Sequence, residues 1–442
     1  MRDIALSIVL FACLPVALAR PFVGAIVFAW LSLMNPHRLT WGFAYDIPWA
    51  QMVAIATLIG LVFATDRQVF DSARRLRVLI AYLVWTAITT MFALSETAAV
   101  PKLIEFAKIQ LMCLVTLALL SNWRRIEILT IVATLSVAFF GIKGGVFTVL
   151  TGGAFRVWGP PGSVIADNNQ LAAALVMTMP LLFWLRQRTR NAWYRWAFLG
   201  CIALSGISIL GSHSRGAFVA VLAMGLFLVL RSTRKFEALI ALFVGAGLAI
   251  VLMPDDYWTR IASIGAYEQD ASTVGRLEMW KTALNVANAR ITGGGFDMYA
   301  STAVGEYAAG QMRSSHSIYF QALGEHGWPG LALFLSFGLL VWFTAGRLIR
   351  RLPAGEENDS VVFLMRMSQV ALVGFGVGGA FVNIGYWDYP YYLAVIVFAC
   401  ARLKEHELLK RRVGPSELRA NVRDRAIAIN PRPDRGQIPE SR

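Results

Sequence analysis

The chain has 442 residues, 57% of them hydrophobic and 15% charged, where a soluble domain carries about 25% charged residues. That balance excludes a soluble globular enzyme and marks an integral membrane protein. The net charge of +14 does not mark a nucleic-acid binder, because Lys and Arg sit in short runs between apolar segments and in the C-terminal tail, the pattern of cytoplasmic connectors.

Apolar segments near bilayer-spanning length fall at 4–18, 21–34, 48–64, 78–94, 102–120, 127–150, 167–185, 196–211, 215–231, 236–253, 328–346, 361–382 and 390–401. The fold class they predict is an all-α polytopic membrane protein with about 12 transmembrane helices. The first two segments are separated only by Arg20-Pro21 and could form a half-inserted hairpin. No small-residue cleavage site follows them, so a cleaved signal peptide is not expected.

Basic runs at 66–77, 123–125, 186–195, 231–235, 347–351 and beyond Arg402 belong on the cytoplasmic side. Counting crossings then puts 35–47, 95–101, 151–166, 212–214, 254–327 and 383–389 outside. The expected organisation is an N-terminal membrane block at 1–253, a large outer loop with helices at 254–327, a second membrane block at 328–401 and a basic cytoplasmic tail at 402–442. A polar loop of that length within a compact protein is a functional signal.

Several outer pieces hold one arginine among glycines, serines and aromatics: Arg156 in GGAFRVWGPPG, Arg215 in SHSRGAF, Arg276 in TVGRLEMW and Arg313 in MRSSHSIYF. Outer arginines run against the usual charge asymmetry. An isolated one ordinarily snorkels, but Arg215 opens a helix whose free N–H groups and positive dipole end suit an anion, and Ser212 or Ser214 can cap it. Guanidinium matches phosphate in bidentate geometry. His316, with an ordinary pKa of about 6.5, could serve as a base; spacing alone leaves it open between that role and a structural histidine. Glu325 falls on the opposite face of a continuous helix from His316 and is expected to fix the turn before Trp328-Pro329-Gly330. His37, His213 and His326 read as structural.

No metal site is evident. Cys13, Cys113, Cys201 and Cys400 lie far apart inside apolar segments, and no DxD pair, serine-hydrolase elbow or phosphate-binding glycine loop occurs.

Four segments in order, RVWGPPGSVIADNNQLAAAL (156–175), SHSRGAF (212–218), VGRLEMWKTALNVANARITGGGFDMY (274–299) and HSIYFQALGEHGWPGLALFL (316–335), resemble the O-antigen ligase and polymerase superfamily. The opening stretch at 31–60 further resembles O-glycosylation ligases associated with exosortase systems. The resemblance implies a GT-C-like, metal-independent, inverting glycosyltransferase of the bacterial inner membrane, without cofactor, with its active site facing the periplasm. It would move a preassembled glycan from undecaprenyl diphosphate to a hydroxyl of lipid A–core. The alternatives are an O-antigen polymerase or a protein O-oligosaccharyltransferase using the same donor, and, as a different class, a lipid-linked glycan flippase. The resemblance implies that Arg156, Arg215 and Arg276 hold the diphosphate and that His316 sits at the transfer site, with Arg313, Glu325 and Asn169 in support. Asn168 precedes Asn169 where many relatives have proline.

Overall fold

In the computed structural model, residues 1–64, 73–231, 271–308 and 315–412 are described, with the isolated positions 235, 236, 239, 247 and 258. Most of the expected segment 236–253, the stretch 254–270 apart from 258, Arg313 and the tail beyond 412 lie outside the described residues.

Numbered among the described residues, the helices are α1 (Arg2–Ala19), α2 (Pro21–Met34), α3 (Trp49–Phe63), α4 (Ala73–Met91), α5 (Glu96–Leu119), α6 (Trp123–Leu150), α7 (Asn168–Arg188), α8 (Ala192–Gly211), α9 (Arg215–Arg231), α10 (Ala271–Ala289), α11 (Ile318–Arg351), α12 (Glu356–Gly379) and α13 (Asp388–Arg412). Short 3₁₀ turns occupy Pro36–Leu39, Phe43–Tyr45, Met298–Ala300 and Thr302–Tyr307, and no strand occurs among the described residues. Side chains set several of the starts. Asn122, Asp167 and Asn191 each accept a backbone N–H of the first turn they precede, satisfying donors that have no partner within the helix.

The chain is a helical membrane protein. Among the described residues, five helices are long and apolar enough to cross a bilayer: α1, α6, α8, α11 and α12 from Asn358. The other expected crossings are shorter, as in α2 and α3, or carry charge, as in α4 with Arg74, Arg75 and Arg77 and α5 with Lys102, Glu105 and Lys108. α7 and the first half of α13 are enclosed by other helices and form much of the core. Small residues let helices approach closely: a Cβ on Gly145 would lie 2.2 Å from the Leu204 carbonyl oxygen of α8, and one on Gly141 would lie 2.3 Å from Ser205 Oγ.

The connecting segments fall into two sets by their contacts. In one set, Asp3 Oδ1 accepts the N–H groups of Gly42 and Ala44 at 3.0 and 3.2 Å, so α1 starts at the end where loop 35–48 lies. In the same set, Leu94 donates its N–H to Gly294 (2.8 Å) and Val157 to Gly211 (3.0 Å). At the opposite end, Arg75 pairs with Glu405 and Arg188 with Glu127, while Arg402 donates to the last carbonyls of α5, Leu117 and Leu120, a favourable place for a cation.

The element that shapes the site is α11, which breaks at Gly327 (φ +66°, ψ −173°). A proline at 329 has no N–H to return to Glu325, so the break strands carbonyls in a buried place, where they need partners. Gly294 and Gly295 supply them, donating to the carbonyls of Gly324 and Glu325 at 2.8 Å each. Trp85 Nε1 donates to the His326 carbonyl at 2.8 Å. The glycine cluster is therefore a docking edge for a broken helix. A Cβ on Gly327 would sit 2.1 Å from the Ile291 carbonyl oxygen, and one on Gly293 (φ +67°) would sit 2.6 Å from the Gly324 carbonyl oxygen.

Candidate functional site

At the end of the bundle where these loops meet, α9 begins at Arg215. Ser214 is its cap, accepting the Ala217 N–H at 3.2 Å, while Ser212 Oγ accepts the Ser214 N–H at 3.2 Å. The glycine after Arg215 has a steric reason, since a Cβ on Gly216 would come within 2.7 Å of Phe381 Cβ. The start of α9 thus lies directly against the turn that follows α12.

Between them opens a pocket of about 160 Å³ lined by Arg215, Gly216, Val219, Arg276, Leu277, Trp280 and Phe381. It brings Arg215 and Arg276, 61 positions apart in the chain, to one cavity. Both are half-buried, and the remaining wall is apolar or aromatic. Two guanidinium groups against an apolar and aromatic wall at a helix N-terminus are an arrangement that can hold an anion.

Trp280 joins this pocket to His316. Its Nε1 donates to the Ser315 carbonyl at 2.9 Å, and its ring stacks on Phe320 with centroids 4.7 Å apart. His316, half-buried, follows in the left-handed region at φ +45°. On either side, Ser315 Oγ and the Ser317 N–H both donate to Asn383 Oδ1, each at 2.9 Å.

Arg156 is not on the pocket wall. It is exposed, one residue before Val157, whose N–H bonds to Gly211. The loop around it is tied to the site by His213 (φ +56°), whose Nε2 lies 2.9 Å from the Gly153 carbonyl oxygen. At the start of α7 the cap is Asp167, which accepts the Asn169 N–H at 2.9 Å; the side-chain amide of Asn169 folds back on Asp167 at 3.1 Å. It is Asn168 whose amide reaches the Ser212 carbonyl, at 2.7 Å. Asn169 therefore serves the local turn, and its neighbour ties α7 to the α9 start.

Glu325 is buried and does something other than fixing the turn at 328–330. Its Oε2 accepts from Tyr386 Oη at 2.6 Å and its Oε1 from the Asp297 N–H at 3.2 Å, so it locks the glycine turn to the turn that precedes α13. His326 is also buried, with Nδ1 2.8 Å from Thr89 Oγ1. His37, in a 3₁₀ turn, is pushed down to about 4 by burial and by Arg38, and so stays neutral near pH 7. Among the described residues, no three His, Cys, Asp or Glu side chains gather as ligands for an ion.

Residue reasoning missed Trp280, Phe381, Asn383 and Tyr386. Trp280 had a signal in its place one helical turn after Arg276; the other three lie near or inside an apolar segment with no motif of their own.

Residues 200–335 match the model of the O-antigen ligase family, and residues 1–190 match a family of unknown function (DUF5935). A comparison with curated proteins gives no match. The first match contains Arg215, Arg276, Trp280, His316 and Glu325; the second contains Arg156 and Asn169.

Proposed function

The chain belongs to the O-antigen ligase and polymerase superfamily, and from that premise we propose that it transfers a preassembled glycan from undecaprenyl diphosphate to a hydroxyl of lipid A–core on the periplasmic face of the inner membrane. The observation that carries this reading is the single pocket lined by Arg215 and Arg276 and tied through Trp280 to the residue before His316. On this reading the diphosphate sits in the pocket and the glycan extends toward His316, which lies beyond the pocket wall.

In this mechanism, His316 takes the proton of the acceptor hydroxyl as its oxygen attacks the anomeric carbon from the face opposite the diphosphate. The new glycosidic bond forms as the bond to the diphosphate oxygen breaks, with inversion at that carbon. Arg215 and Arg276 stabilise the negative charge growing on the leaving diphosphate, the role a divalent cation fills in many other glycosyltransferases. Arg156, from its exposed loop, adds long-range attraction for the anionic donor, and Glu325 supports the loop rather than the chemistry. The scaffold is a GT-C-like bundle of about 12 crossings, with 254–327 as the catalytic loop between membrane blocks 1–253 and 328–401, and 402–442 as a tail facing the cytoplasm. The positive-inside distribution of Lys and Arg supports that orientation.

A flippase would carry charges along a central path, whereas the two pocket arginines sit at one end of the bundle. Purified protein, lipid-linked glycan and either rough lipopolysaccharide or a pilin-like protein test the reading: labelled lipopolysaccharide is expected. Label on protein or on a lengthened lipid-linked glycan would reassign the acceptor, and no transfer to any of them would sink the proposal.

A further inference from the structure

The site's histidine is held by a residue far outside the matched ligase segment. Asn383 lies in the turn between α12 and α13, 48 positions beyond residue 335 where that match ends. Its side-chain oxygen accepts two hydrogen bonds, from Ser315 Oγ and from the Ser317 N–H, both at 2.9 Å. A backbone N–H can only donate, so the Ser317 contact fixes which end of the amide faces this turn. The two bonds clasp the residues immediately before and after His316 and leave His316 itself at φ +45°. A non-glycine residue in that region is disfavoured and persists only where its surroundings hold it there.

The same turn makes two further contacts with the site. Phe381 lines the arginine pocket and abuts Gly216, and Tyr386 holds Glu325. Nothing in the sequence near 383 suggests chemistry. We propose that Asn383 is the positioning residue of the transfer reaction: by clasping Ser315 and Ser317 it imposes the left-handed turn that aims the His316 imidazole at the acceptor hydroxyl. This inference rests on His316 acting in transfer. Without the clasp, residue 316 relaxes to negative φ and its side chain leaves the working direction, while the arginine pocket keeps its own walls.

The test is a steady-state comparison of wild type, Asn383→Ala, Asn383→Asp, Ser315→Ala and His316→Ala in detergent or nanodiscs, with donor concentration varied. Asn383→Ala is expected to lower kcat by about 10²-fold, the scale of a 1 Å misplacement, with the donor KM within about threefold of wild type. Asn383→Asp offers an oxygen to the same two donors and is expected to recover most of kcat. Its negative charge, two residues from the pocket wall, raises the donor KM instead. A residue that merely supports the fold would not separate kcat from KM in this way. An Asn383→Ala enzyme with kcat within threefold of wild type overturns the proposal, as does an Asn383→Asp enzyme as slow as the alanine variant. Should Asn383→Ala fail to insert, Ser315→Ala decides: loss of one clasping bond is expected to lower kcat about tenfold, and an unchanged kcat overturns the proposal. An inactive His316→Ala beside a fully active Asn383→Ala defeats only the positioning role. A fully active His316→Ala defeats the transfer reading, and the positioning role with it.

Discussion

At the residue scale, the proposed mechanism gives donor binding and chemistry to different side chains. Arg215 and Arg276 face one cavity, and replacing either with Ala removes a charge-assisted contact worth roughly 1.5–3 kcal/mol, which is about 10- to 100-fold in donor affinity. Lys at 215 should recover only part of this, because an ammonium keeps the charge and loses the planar fork. Arg156→Ala, at an exposed position away from the pocket wall, should cost much less. His316→Ala should leave donor binding nearly intact and lower turnover about 10²–10⁴-fold. Donor binding and single-turnover rates at matched expression separate these expectations. Weak donor binding in His316→Ala, with chemistry preserved, would exchange the roles assigned to the two groups.

At the scale of elements, the break at Gly327 divides α11 into a short arm, which follows His316 and carries Glu325, and a long apolar helix. Gly327→Ala forces a side chain into a left-handed position, costing about 1–3 kcal/mol, and drives its Cβ into the Ile291 carbonyl. Gly338→Ala on the same helix meets nothing within 4 Å and serves as the control. Thermal unfolding in detergent should show a clear loss for the first variant and none for the second; equal losses would mean the break is not held by this packing. The Glu325–Tyr386 bond gives a second expectation. Tyr386→Phe leaves the buried Glu325 carboxyl group short of one donor, at a cost of about 1–3 kcal/mol, read as a loss in thermal unfolding; an unchanged midpoint would mean the bond does not hold the turn.

For the whole molecule, the two sets of loop contacts predict sidedness. In a background lacking Cys13, Cys113, Cys201 and Cys400, a cysteine at exposed Thr302 should react with an impermeant maleimide in spheroplasts, and one at exposed Arg190 should not. The reverse pattern would turn the site toward the cytoplasm and end the periplasmic reading. Transfer should also survive EDTA without added magnesium or manganese, because in the proposed mechanism arginines carry the leaving-group charge. Activity lost on chelation and restored by one metal would require a different site.

Apolar length, charge placement and helix punctuation are properties of neighbouring residues, and these were legible from the sequence alone. The expected segments 21–34 and 215–231 coincide with α2 and α9, because Arg20-Pro21 and Ser214-Arg215 mark starts in the local code. The arginines of the outer loops stood out for the same reason, each being a charge where the local pattern disfavours one. What the tertiary structure decided depends on residues far apart in the chain. Arg276 faces Arg215 only because α10 packs on α11 and Trp280 bonds to Ser315; Asn168 rather than Asn169 bridges to the α9 start because Asp167 has already taken the cap. Glu325 turned from its expected local role to Tyr386, 61 residues away, since a buried carboxylate takes whichever donors the fold brings within reach. Asn383 had no sequence signal at all: an amide near an apolar segment acquires a role only when a turn 68 residues earlier in the chain is laid against it.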